Sequence, residues 1–186
     1  MRVIAGSLKG RRLKTPKGIE TRPTTDRVKE SIFSIIHAHI IDSIIIDLFS
    51  GTGNLGIEAL SRGAEKVFFV DKNKNSIQLI KENIESMGLK SKSEILFCDA
   101  LKAIKQLASL SHKFDIIFMD PPYSKGLILP CMEAINAEDM LKEDGIILVE
   151  HDTKDTLPDN VGRLIKRKEK KYGNTMISIY AEEASS

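Results

Sequence analysis

An α/β fold is predicted, with a doubly wound, mostly parallel sheet that ends in an antiparallel hairpin. Three observations predict it. Short apolar runs rich in β-branched residues ("IIIDLF", "KVFFVD", "SEILFC", "FDIIFMD", "GIILVE") alternate with helical stretches between Ile44 and Glu150. Strands that read as continuous apolar runs are buried on both faces, as in a parallel sheet covered by helices. After the fifth run the alternation stops, and "RLIKRKEKKYGNTMISIYAEE" holds two strand-like runs joined by Gly173-Asn174, a two-residue hairpin signal.

The elements follow in order. "RVIAGSLKGRRLKTP" reads as two short strands around Leu8-Lys9-Gly10, a basic hairpin arm. "RPTTDRVKESIFSIIHAHI" turns helical: Thr24 or Thr25 can cap it, and Val28, Ile32, Ile35 and Ile36 recur at helical spacing. The first strand ends in a glycine cluster. "NLGIEALSRG" is a short helix closed by Gly63, and "KNSIQLIKENIESMG" a longer one closed by Gly88. "DALKAIKQLAS" is the helix between the third and fourth strands, and a loop and the stretch Leu127 to Met140 precede the fifth. This divides the chain into an arm (1–21), one domain (22–182) and a polar tail (183–186).

A chain of 186 residues is long enough to bury a core without staples. No run of roughly 18 apolar residues is present, which excludes a membrane-spanning helix. The N-terminus lacks the apolar stretch of a signal peptide. Cys98 and Cys131 have neither metal-ligand nor disulfide spacing, and His37, His39, His112 and His151 show no metal spacing. The expectation is a cytoplasmic protein with free thiols and no metal. Net charge is only +2, but residues 1–30 hold nine basic and three acidic side chains, so that segment is +6 and the remainder −4. Arg2, Lys9, Arg11, Arg12, Lys14, Arg22 and Arg27 are the candidate contacts to a polyanion, most often nucleic acid. A second basic stretch, Arg163 to Lys171, has no assigned role.

"DLFSGTGNLG" places Gly51, Gly53 and Gly56 between a strand and a helix, where backbone approaches a ligand closely and helix N–H groups are exposed. Asp71, 20 residues after Gly51, ends the second strand and suits the two hydroxyls of a ribose. Asp99 ends the third strand, where it can accept from an adenine amino group or simply cap the next helix. Asp120 ends the fourth, and Asp47 precedes the glycine loop. So many carboxylates on one rim repel a pyrophosphate and favour a cationic ligand; S-adenosylmethionine carries a sulfonium and an ammonium.

"DPPY", Asp120 to Tyr123, is a rigid corner at that rim. The amino groups of nucleobases are poor nucleophiles because the nitrogen lone pair is conjugated into the ring. Asp120 supplies an acceptor for the amino N–H groups. Pro121 and Pro122 remove competing backbone donors, and Tyr123 can stack on the base.

"DLFSGTG" with "DPPY" resembles the class I S-adenosylmethionine-dependent methyltransferases that act on nucleobase amino groups. "VIAGSLKGRRLKTP" followed by "TRPTTDRVKESIF" resembles, more narrowly, the RsmD family, which methylates the N2 amino group of a guanine in small-subunit (16S) ribosomal RNA. The likeness runs from Arg2 to about Glu182. It implies a Rossmann-like domain with seven strands and a small N-terminal β-hairpin. It implies cofactor contacts from Asp47, Phe49, Gly51, Gly53, Asp71, Asp99 and Ala100, catalysis at Asp120, Pro121, Pro122 and Tyr123, and RNA contacts from the arm. The substrate it implies is an assembled or partly assembled small subunit, with ribosomal proteins as further partners. A DNA amino methyltransferase shares "DPPY" but usually needs a larger recognition segment. Protein glutamine methyltransferases typically show Asn-Pro-Pro-Tyr, an NAD enzyme gives the corner no role, and the intact motifs argue against a non-catalytic RNA-binding module.

Overall fold

The structure, a computed structural model, describes residues 1–16, 23–122 and 126–183, with backbone only at 23–25. Arg22, Tyr123 and the tail beyond Glu183 lie outside the described residues. Five α-helices and eight β-strands are present among those described: α1 (Pro23–Ile35), β1 (Ile44–Asp47), α2 (Asn54–Ser61), β2 (Lys66–Asp71), α3 (Lys74–Ser86), β3 (Ser93–Phe97), α4 (Ala100–Ser109), β4 (Phe114–Met119), α5 (Ile128–Ala137), β5 (Leu141–Asp152), β6 (Asn160–Val161), β7 (Leu164–Tyr172) and β8 (Thr175–Glu182).

One sheet carries all the strands in the order β3-β2-β1-β4-β5-β8-β7-β6. The first five pair in parallel, β8 inserts antiparallel beside β5, and β7 pairs antiparallel with β8. Eight strands replace the expected seven, because the two-residue β6 adds an edge too short to register as a pattern. Successive strand residues point to opposite faces, and the two cores divide accordingly. Ile45, Phe69, Ile116 and Phe118 pack with α1, α2 and α3, while Ile46, Phe68, Ile117 and Ile147 pack with α4 and α5.

Two expectations need correction. β5 starts at Leu141, before the apolar "GIILVE", because polar Lys142 to Asp144, with Asp144 at φ 61°, interrupt the hydrophobic run. α1 starts at Pro23, so Thr24 and Thr25 lie in its first turn instead of capping it; proline at the first helical position has its φ already set. The arm is the expected hairpin in minimal form: its two segments bridge antiparallel at Arg2 and Arg12, and Val3 N–H donates to the Arg11 carbonyl, Gly10 N–H to the Val3 carbonyl and Leu13 N–H to the Met1 carbonyl.

Other backbone groups of the arm bond to α2. The N–H groups of Ile4 and Ala5 donate to the Glu58 carboxylate at 2.8 and 3.0 Å, and that of Ser7 donates to the Ser61 carbonyl at 2.8 Å. Gly6 lies so flat on α2 that a Cβ would come within 1.8 Å of the Ser61 carbonyl oxygen. Val3 and Leu13 are buried in the core. Glu58, fully buried, also receives Lys29 Nζ at 3.1 Å and Arg62 Nε at 2.8 Å. Lys29 Nζ donates further to the Arg2 carbonyl and to Asn54 Oδ1, so its three protons are all placed. Burial lowers the Lys29 pKa, and Glu58 opposes that shift. Removing one partner of such a pair strands the other charge, so Glu58→Gln is expected to cost roughly 3–5 kcal/mol in urea unfolding. A loss below ~1 kcal/mol would show that the pair does not hold the arm down.

Candidate active site

The glycine loop is held from two strands. Ser50 N–H donates to the Val70 carbonyl at 2.9 Å, and the Ser50 hydroxyl accepts from Val70 N–H at 3.0 Å and donates to the Asp47 carbonyl at 2.8 Å. Gly51 and Gly53 sit at φ 55° and 81°, the left-handed region that favours glycine. At Gly56 the constraint is contact: a Cβ would meet the Phe69 ring at 2.4 Å, so glycine lets α2 press onto β2. Asp71 braces the same loop. Its Oδ2 accepts from Gly51 N–H at 2.9 Å and its Oδ1 from Asn73 N–H at 2.8 Å.

Two cavities open on the rim. One, of about 500 Å³, is lined by Phe49, Gly51, Asp71, Asp99, Ala100, Asp120, Pro121 and Pro122, with Cys98, Leu127 and Cys131 on its apolar side. The other, of about 660 Å³, is lined by Asp47, Phe49, Gly51, Lys29, Asn54 and Asp120, with Met1 and Pro16 of the arm on one side and Tyr172 to Thr175 on another. Phe49, Gly51, Asp120 and Glu150 belong to both. The parallel register explains the meeting: Asp47 pairs with Phe118, and Met119 with Val149, so Asp120 and Glu150 emerge abreast.

The electrostatics are those of a site crowded with negative charge. Asp47 is buried, and its Oδ1 has no hydrogen-bond partner. Burial, and then the Asp120 charge, push its carboxyl up to about 7. Asp120 has surface open to the cleft, yet protein encloses it on its other sides, and that enclosure holds its carboxyl above the ordinary range. An orphaned buried carboxylate oxygen beside a second raised carboxyl fits a ligand that brings positive charge, as S-adenosylmethionine does.

Among the described residues, the expected cofactor set of Asp47, Phe49, Gly51, Asp71, Asp99 and Ala100 does line these cavities, while Gly53 caps α2 behind the loop. Asp99 caps α4, its Oδ1 accepting from Lys102 N–H at 3.0 Å, and the residue also lines the cavity. The arm's cations are less uniform. Lys9, Arg12 and Arg27 are exposed, but Arg2 pairs with Asp26, Lys14 with Glu82, and Arg11 donates to the Ser86 carbonyl at 2.6 Å. Sequence reasoning missed Lys29, Asn54, Glu150 and the Tyr172 to Thr175 turn. Glu150 carried a signal, since it closes the apolar run "GIILVE" as Asp120 closes "FDIIFMD". Asn83 was also missed. It donates to the Lys14 and Thr52 carbonyls and accepts from Lys14 N–H, tying the arm to the glycine loop through α3.

The family model described as "Conserved hypothetical protein 95" matches residues 1–181. YlbH of Bacillus subtilis is 44% identical over 97% of this chain and 98% of its own. Ribosomal RNA small subunit methyltransferase D of Haemophilus influenzae is 34% identical over 97% of this chain and 93% of its own. The chain belongs to the RsmD family. The solved structure of yhhF from Escherichia coli covers 100% of this chain and 99% of its own, with TM-score 0.88 and 29% identity. The glycine loop and the Asp-Pro-Pro corner therefore stand here in an RsmD-family fold along its whole length.

A carboxyl raised to about 7 holds its proton at mildly acid pH and gives it up when a cation binds. S-adenosylmethionine affinity is therefore expected to strengthen as pH rises through about 7, and the dependence to flatten in Asp47→Asn. Calorimetry at several pH values checks this; identical pH profiles for the two proteins would remove Asp47 from the site.

Proposed function

We propose that this chain transfers a methyl group from S-adenosylmethionine to the exocyclic N2 amino group of a guanine in 16S ribosomal RNA, acting in the cytoplasm on assembled or partly assembled small subunits. The observation that carries the reading is the meeting of Asp120, on its two-proline corner, with Asp47, one of whose carboxylate oxygens is orphaned, in the lining of one cavity. Membership of the RsmD family supports it, as does the name of the Haemophilus influenzae relative. Ribosomal proteins on the particle are proposed as further contacts.

The residues divide the work. Asp47, Gly51, Asp71, Asp99 and Ala100 would hold the cofactor, with Phe49 as an apolar wall shared by both cavities. When bound, S-adenosylmethionine supplies an electrophilic methyl group on a positively charged sulfur. Asp120 accepts a hydrogen bond from the guanine amino group, drawing the nitrogen toward tetrahedral geometry and aiming its lone pair. Its raised proton affinity also fits it to hold the proton that the amino group sheds. Pro121 and Pro122 offer no N–H to compete for that carboxylate. Tyr123 stacks on the base. Positioning carries most of the rate.

Incubation of unmethylated small-subunit particles with labelled S-adenosylmethionine, followed by mapping of the product, tests the reading. N2-methylguanine in 16S RNA is expected; label in DNA or protein alone would sink it. Asp120→Asn puts a donor against a donor and is expected to slow single-turnover transfer by on the order of 10²–10³-fold. Tyr123→Phe is expected to cost little, and Tyr123→Ala about 1–3 kcal/mol of stacking. Equal damage from both Tyr123 variants would assign the role to the hydroxyl.

A further inference from the structure

We propose that the upper end of β7 and its turn into β8 form a second RNA-holding wall of the larger cavity, opposite the arm. In it Lys170 meets a phosphate, and the Tyr172 hydroxyl meets the nucleotide that enters. The inference rests on the RNA methyltransferase reading above and gives that site a part that the arm does not supply.

Placement comes from the register. β7 runs in the same direction as β5, since each is antiparallel to β8. Tyr172 pairs with Thr175, which pairs with Asp152 at the end of β5, so the turn stands on the rim that carries Asp120. Tyr172, Gly173, Asn174 and Thr175 line the same cavity as Asp47 and Asp120. Lys170 pairs with Ile177, whose side chain lies in the core face under α1, so Lys170 and Tyr172 share the face on which the arm and α1 lie. The ammonium of Lys170 stands 5.3 Å from the centre of the Tyr172 ring, which draws the lysine toward the rim.

The charge on this strand is selective. Arg163 pairs with Asp139 and Glu182, Lys166 with Asp159 and Glu169, and Arg167 donates to the Glu182 carbonyl. Among the described residues, no ion pair to a carboxylate forms at Lys168, Lys170 or Lys171. The exposed ammonium nearest the turn on the cavity face is thus left for an outside anion. The Tyr172 hydroxyl is buried and has no hydrogen-bond partner. A buried hydroxyl normally finds one, and a nucleotide in the cavity offers oxygens and ring nitrogens to accept from it. RNA joins both features: a phosphate for the cation, and a polar base or ribose edge for the hydroxyl.

Binding to unmethylated small ribosomal subunits at several salt concentrations tests the cation. Lys170→Ala is expected to reduce the slope of log affinity against log salt by about 0.7–0.9, one phosphate contact. Lys171→Ala, on the opposite face of β7, is expected to leave that slope unchanged. Tyr172→Phe tests the hydroxyl by two readouts. Thermal stability is expected to hold or rise, because an unpaired buried group is removed. Single-turnover methyl transfer is expected to fall by roughly three- to tenfold, the worth of one hydrogen bond. A wild-type slope in Lys170→Ala, or wild-type transfer by a stable Tyr172→Phe, overturns the proposal. If either occurs while Arg12→Ala still weakens binding, only the far wall is lost and the RNA reading stands. If the wild-type chain binds particles without salt dependence and transfers no methyl, the RNA reading falls and this inference with it.

Discussion

Parallel pairing of β1 with β2 on one side and β4 on the other is the constraint on which the site depends. Three strands that point the same way must end on the same rim, and each of the three ends in an aspartate or is followed by one: Asp47, Asp71 and Asp120. The chain reverses its winding direction at β1, so the crossover helices leave on opposite faces and a crevice opens where they part. The carboxylates are gathered by backbone hydrogen bonding, against their mutual repulsion. Burial raises the proton affinity of both Asp47 and Asp120, the Asp120 charge adds to the shift at Asp47, and the crevice is thereby selective for positive charge.

A second constraint ties the arm to the same crevice. Glu58 and Asn83 are polar side chains buried in helices that otherwise serve the core, and each spends two of its hydrogen bonds on arm backbone. The price of burying Glu58 is met by four donors from three different parts of the chain. One of them, Lys29, also reaches Asn54 at the start of α2. Arm, α1 and glycine loop are thereby joined through one ammonium group. These bonds connect the basic appendage to the cavity.

The fold was largely legible because its strongest signals are local. Apolar runs such as "KVFFVD" and "FDIIFMD" are short and β-branched, and the helices between them end at Gly63 and Gly88, both at positive φ as a helix stop requires. Gly173-Asn174 sat where a two-residue hairpin needs it, and Tyr172 pairs with Thr175 across it. The start of β5 was illegible because its first residues pair through backbone while their side chains stay polar. The arm's hairpin was legible from its glycine and alternating side chains, whereas its attachment to α2 was not, because those partners lie more than 50 residues away.

Sequence by itself determined the chemistry available: a glycine loop able to turn left-handed, carboxylates at strand ends, a proline corner without donors and a basic first segment. Each is a property of a residue and its near neighbours, so spacing alone reveals it. Tertiary structure decided which of these groups meet and which are already committed. It turned Asp71 into a brace for the loop, tied Arg11 to the end of α3 through the Ser86 carbonyl, left Asp47 with an orphaned oxygen, and brought Tyr172 to the cavity from a distant hairpin. Those outcomes depend on burial and on hydrogen bonds between residues far apart in the chain, and neither quantity exists until the sheet has closed around them.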